Sequence, residues 1–142
     1  DGVAATDLPN HVLLDRCTFF GFSGASDLAI SSATGAGTGT LLDWVIQDCD
    51  FYGNTGHITA PFSGATIRRN KFSYIWNGTT TTTQIILTGG ANNSVYDNYM
   101  DIPYTTNGIS QMFLLGTNDR WYKNSFATAV TTTIFSFGAP VS

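Results

Sequence analysis

With 142 residues and a net charge of −4, the chain is long enough for one hydrophobic core and too acidic to seek a polyanion such as nucleic acid. Apolar residues make up 42% and charged residues 11%, which excludes a disordered segment, and no apolar run is long enough to span a membrane. Two cysteines are too few for a disulfide framework or a zinc site. Glutamate is absent, and Thr, Gly, Asn, Ser, Val, Ile and Phe dominate, so strands and turns are expected with almost no helix. Asp1 in place of Met reads as processing, truncation or a piece of a longer protein. The Thr- and Gly-rich, lysine-poor composition suits an extracellular or virion-surface setting.

In chain order, VLLDRCTF (12–19) comes first, then the turn-rich FGFSGAS, then AISSATG (29–35), which closes on glycine before a GAGTGT turn. WVIQDCDF (44–51), YGNTG and ITAPFSG (58–64) repeat that order, and ATIRRNKF (65–72), WNGTTTT and TQIILTG (83–89) repeat it again. NSVYDNYM (93–100), YTTNG and SQMFLLG (110–116) follow, and DRWYKNSF (119–126) with TTIFSFG (132–138) completes five repeats. The motifs align on Cys17, Cys49, Asn70, Asn98 and Asn124, which stand 32, 21, 28 and 26 residues apart. Such near-regular periods mark a solenoid whose turns vary in length, and alternation within each run predicts strands. Each repeat is expected to run strand, turn, strand, glycine turn.

The repeated Asn70-Lys-Phe72, Asn98-Tyr-Met100 and Asn124-Ser-Phe126 resemble the right-handed parallel β-helix of the pectate-lyase-like superfamily. The likeness runs from about residue 11 to 138 and is closest to the short trimeric β-helices of bacteriophage tail spikes, fibres and capsid decoration proteins. It implies an all-β, single-stranded right-handed parallel β-helix in one domain, residues 1–142. Five coils are expected at about 11–40, 41–64, 65–90, 91–117 and 118–138, stacked about 4.8 Å apart.

Physical roles follow for each column of the alignment. Asn70, Asn98 and Asn124 are expected to form an amide ladder, with Cys17 and Cys49 as small apolar occupants of the same place. Parallel side chains point the same way, so stacked cysteines favour free thiols over a bridge. Leu14, Ile46, Ile67, Val95 and Trp121 form one inward stack, and Phe19, Phe51, Phe72, Met100 and Phe126 another. Arg16, Asp48, Arg69, Asp97 and Lys123 alternate in sign and read as a register-setting salt ladder on a solvated face. Counted back from the closing glycines, Ile86, Phe113, Leu115, Phe135 and Phe137 face outward as an apolar subunit interface, and the resemblance makes the product a homotrimer.

Catalysis finds little footing. Asp48 and Asp50 share one outward face, but Lys71 and then Tyr99 follow Asp50 in its column, and Gln47, Arg68, Tyr96 and Tyr122 follow Asp15. No lyase or polygalacturonase motif can be placed, and no metal or cofactor is expected. His11 and His57 read as turn or surface residues, and the triplets at Asn77 and Asn92 are weak glycosylation signals. Arg68, Tyr96 and Tyr122 form a candidate glycan platform, with Trp76 and Tyr104 in the longer turns as further contacts. The expected function is a non-catalytic structural or adhesive module of a virion surface, a phage appendage or capsid decoration. Its partners would be copies of itself, other virion proteins or a host glycan, with no nucleic acid and no membrane. Two alternatives stand beside it: a carbohydrate-active β-helix, a fragment of a lyase or hydrolase, and a repeat segment of a secreted adhesin.

Overall fold

Each recurring motif breaks into two short strands at its charged position. A computed structural model describes residues 10–22, 28–31, 40–54, 56–75, 83–86, 90–101, 111–115, 117–126 and 133–137. The first repeat carries β1 (Leu13–Asp15), β2 (Thr18–Phe20), β3 (Leu28–Ser31) and β4 (Leu41–Leu42). The second carries β5 (Val45–Gln47), β6 (Asp50–Asn54), β7 (Gly56–Thr59) and β8 (Phe62–Ser63). The third has β9 (Thr66–Arg68), β10 (Lys71–Ile75) and β11 (Thr83–Ile86), and the fourth β12 (Ser94–Tyr96), β13 (Tyr99–Asp101) and β14 (Gln111–Leu115). The fifth has β15 (Arg120–Tyr122), β16 (Ser125–Phe126) and β17 (Thr133–Phe137).

Every repeat gives one strand to each of three five-stranded sheets, in the orders β1-β5-β9-β12-β15, β2-β6-β10-β13-β16 and β3-β7-β11-β14-β17. All pairings are parallel, and strands β4 and β8 form a smaller fourth sheet. Its line of pairing runs on through the bond from Gly64 N to Ala91 O and the Ala91–Thr117 bridge. The protein is all-β, with no helix among the described residues.

The break between paired strands has a backbone cause. Arg16, Asp48, Arg69, Asp97 and Lys123 all have φ between 53° and 54°, the left-handed region that costs a non-glycine residue about 1–2 kcal/mol. A second left-handed column lies five residues earlier: His11, Asp43, Gly64, Asn92 and Asn118, with φ from 55° to 71°. Its residues, mostly Asn, Asp and Gly, are the ones that tolerate this conformation best. The corners also resolve a problem of parity. Leu14 and Phe19 are five residues apart, so one continuous strand would place them on opposite faces. With a corner between them, both inward columns are buried: Ile46, Ile67 and Val95 in one, Phe51, Phe72 and Met100 in the other, each at most 1% exposed. Phe19, Phe51 and Phe72 stack at 4.8 Å between successive ring centroids, with Met100 next in register.

The amide ladder lies just inside the corner. The amides of Cys49, Asn70 and Asn98 donate to the Oδ1 atoms of Asn70, Asn98 and Asn124 at 2.9 Å. The Nδ2 groups of those three asparagines donate back to the carbonyls of Ile46, Ile67 and Val95. Cys49 is more than an inert filler: its Sγ accepts the Cys17 amide at 3.4 Å and sits 3.1 Å from the Gln47 carbonyl. Both thiols are free. A second ladder lies one residue after the earlier corner. Asn93 Oδ1 accepts from Ala65 N, and Asp119 Oδ1 accepts from both Asn93 N and Nδ2.

The glycine-closed runs align differently from the sequence expectation. Ile58 pairs with Ile85, Ile85 with Phe113, and Phe113 with Phe135, while Ile86 pairs with Leu114. Ile86 is therefore not level with Phe113, where counting from the glycines places it. Gly90 packs against the second repeat, and a Cβ there would collide with the Phe62 carbonyl oxygen. Phe113 and Phe135 stand in register with Ile58, which is fully buried, and Leu115 and Phe137 stand two residues along the same strands. Ile86 belongs to the neighbouring column with Thr59. The five residues assigned to one outward apolar face thus divide between two columns of opposite phase, and their side chains lie outside the described part of the structure.

Candidate functional site

The outer face of the first sheet carries a line of side chains crossing all five strands. Asp15, Gln47, Arg68, Tyr96 and Tyr122 end β1, β5, β9, β12 and β15 and are mutually in register. They project outward because they follow an inward residue immediately before the corner stops the strand. Gln47 Nε2 donates to Asp15 Oδ1 at 2.9 Å. Arg68 donates from Nε and Nη2 to Gln47 Oε1, at 3.0 and 2.7 Å, and from Nη1 to the Tyr96 hydroxyl at 3.1 Å. Tyr96 and Tyr122 then stack with centroids 4.8 Å apart and planes 5° from parallel. Arg68, Tyr96 and Tyr122 are thus brought together in the column expected from the sequence, with Asp15 and Gln47 at its start. Trp76 and Tyr104 lie outside the described residues.

Ring orientation differs from a flat platform. Tyr96 and Tyr122 cover one face of each other, and Tyr122, on the edge strand, is 42% exposed. A second exposed stack, Phe20 on Tyr52 at 5.4 Å, lies on the outer face of the second sheet. Phe20 is 60% exposed and Tyr52 44%.

The alternating charge column forms one ion pair among the described residues. Arg69 grips Asp48 through two bonds of 2.8 and 2.6 Å, while Arg16 turns to Asp15 at 2.9 Å instead of to Asp48. The hydrogen bonds from Arg69 hold the Asp48 carboxyl below its ordinary range, against an opposing effect of burial, and the same bonds raise Arg69 in turn. Salt-ladder register setting is therefore confined to one rung; the left-handed backbone is what the whole column shares.

The histidines divide. His11 is exposed, occupies a left-handed corner and lies 3.3 Å from an Asp43 carboxylate oxygen. His57 is buried, contrary to expectation. It packs against Phe51 and Phe72, and burial pushes its pKa down to about 3. Asn54 Nδ2 lies 3.2 Å from His57 Nδ1 and 3.0 Å from the Phe19 carbonyl, leaving Nε2 without a hydrogen-bond partner. Ile58, the next residue of β7, is buried as well. No group of three or more His, Cys or Asp residues that could hold a metal occurs among the described residues.

No protein-family model, curated protein or solved structure matches the chain. No helix among the described residues is long and apolar enough to cross a membrane.

Proposed function

We propose that the chain is a non-catalytic structural and adhesive module of a virion surface, a right-handed parallel β-helix of five coils that meets a host glycan through the outer face of its first sheet. The winding is supported by the regular delivery of one strand per repeat to each sheet, in the same order and always parallel. The binding role is carried by one observation: the line from Asp15 to Tyr122 crosses every strand of the sheet and is locked by its own side-chain bonds. Ordering such a surface before the ligand arrives lowers the entropy lost on binding. An elongated ligand lying across the strands would meet a new side chain at each step of about 4.8 Å.

Glycan-array screening with full-length protein, followed by calorimetry on the hits, tests the reading. Binding lost in Tyr122→Ala with the fold retained supports it. Release of reducing ends or unsaturated products from a bound polysaccharide would replace it with a carbohydrate-active enzyme. Assembly as a homotrimer belongs to the same proposal, and native mass measurement decides it; a monomer at every concentration removes that part.

A further inference from the structure

We infer that the group recognised at the centre of this line is an oxyanion, a carboxylate or sulfate carried on a glycan, and that Arg68 receives it; the inference rests on the glycan reading above. The donor inventory points to this chemistry. A guanidinium has five N–H donors, and Arg68 uses one on the Tyr96 hydroxyl and two on Gln47 Oε1. Two remain. Because the Tyr96 oxygen accepts from Arg68, its own proton is left to donate, and Gln47 Nε2 has a second N–H beyond the one given to Asp15. The centre of the line therefore offers unspent donors, while Gln47 Oε1, its nearest strong acceptor, is doubly occupied. Such a surface seeks an acceptor, and an anionic one most strongly.

Charge supports the same conclusion. Arg68 is held by two neutral groups and enters no ion pair among the described residues, unlike its neighbour Arg69. Asp15 lies two strands away, roughly 10 Å, and both of its carboxylate oxygens are engaged, by Gln47 and Arg16. Residues 65–126 carry five Lys or Arg against three Asp, in a chain whose net charge is −4. A dense polyanion would meet repulsion from the chain as a whole, whereas a glycan with spaced anionic groups meets only this locally positive stretch.

The test is calorimetric titration of the full chain with a uronic-acid oligosaccharide, the same oligosaccharide with its carboxyls reduced to alcohols, and a sulfated neutral oligosaccharide. The uronate or sulfated ligand should bind, and the reduced one should bind at least roughly tenfold more weakly. Arg68→Gln should weaken the acidic ligand by roughly tenfold to a hundredfold, and Tyr96→Phe, which preserves the ring stack, by about threefold to tenfold. Arg68→Lys keeps the charge but loses the fork and should fall between parent and Arg68→Gln. Circular dichroism confirms that each variant keeps its strands. Equal binding of acidic and reduced ligands, lost in Tyr122→Ala but kept in Arg68→Gln, overturns the inference while leaving the glycan reading in place. Tighter binding of an oligonucleotide or anionic vesicles also overturns it, and absence of binding to every glycan sinks both.

Discussion

Asn98→Asp replaces one atom of the amide ladder and tests whether the ladder holds the repeats in place. Asn98 Oδ1 accepts from Asn70 N and Nδ2, and its Nδ2 donates to the Ile67 carbonyl and to Asn124 Oδ1, all between 2.9 and 3.0 Å. Aspartate keeps the two accepted bonds. It turns the two donated ones into contacts between acceptors, in a site where Asn98 is 1% exposed. Two buried acceptors without donors cost about 1–3 kcal/mol each, and confining a charge there adds to that, so about 4 kcal/mol or more should be lost at neutral pH. That is a large share of the 5–15 kcal/mol expected for a domain of this size. Asn124→Asp supplies the control. It keeps the bonds accepted from Asn98 and loses only those to the Val95 and Tyr122 carbonyls, at a half-exposed position. The second ladder already ends this way, on Asp119 beneath Asn93. Its cost should stay near 1–2 kcal/mol. Urea unfolding followed by tryptophan fluorescence measures both, and equal losses for the two substitutions would refute the directional ladder.

Acid should expose His57. Its folded pKa of about 3 lies below the ordinary 6.5, so the unfolded chain binds the extra proton. Stability is full above pH 6.5 and falls by about 1.4 kcal/mol per unit as pH drops toward 3. Asp48, held below its ordinary 3.8 by Arg69, loses its contribution only at lower pH, which separates the two groups. His57→Phe should flatten the urea midpoint between about pH 6 and pH 4; a parent profile already flat there refutes the assignment. Gly90→Ala should cost about 2 kcal/mol or more, because its Cβ meets the Phe62 carbonyl oxygen and backbone must move, whereas an unchanged melting temperature would mean that the contact is not there. At the corner column, Lys123→Gly should be neutral or stabilise by up to about 1 kcal/mol and Lys123→Val should destabilise by about 1–2; the reverse order in thermal melts would remove the left-handed assignment.

The inward columns and the first ladder could be read directly from the sequence because their spacing to the corner never changes. Leu14, Ile46, Ile67, Val95 and Trp121 each lie three residues before the ladder position, and no insertion falls within the motif. Register in the third sheet could not be read in the same way. The connections between motif and second run vary in length among the repeats, so spacing from the motif does not fix the register of the second run. Counting from Gly89 placed Ile86 level with Phe113; pairing places Ile85 there. A slip of one residue exchanges the two faces of a strand, so Ile86 leaves the column of Phe113 and Phe135, which remain paired with each other. The second ladder had a signal that went unused: Asn93 and Asp119 lie five residues before Asn98 and Asn124. So did the earlier corner, where His11, Asp43, Gly64, Asn92 and Asn118 include three of the residue types that best tolerate a left-handed backbone.

Arg16, Asp48, Arg69, Asp97 and Lys123 carry the argument about corners one step further. Alternating sign suggested that neighbouring rungs attract, yet among the described residues only Asp48 and Arg69 pair along the column. The shared property is a backbone φ near 54° at a position between two inward-facing strands, where the side chain must point away from the core. Ionised side chains satisfy that demand, since they stay in water whichever sign they carry. The cost of placing non-glycine residues there is offset by what the corner permits: Ile67 and Phe72, five apart, both enter the core, while Asn70 reaches back to close the Ile46 carbonyl. The two arginines of the third repeat have different partners. Arg69 closes on Asp48, and Arg68, one residue earlier on the sheet, bonds Gln47 and the Tyr96 hydroxyl and has two guanidinium N–H groups left over.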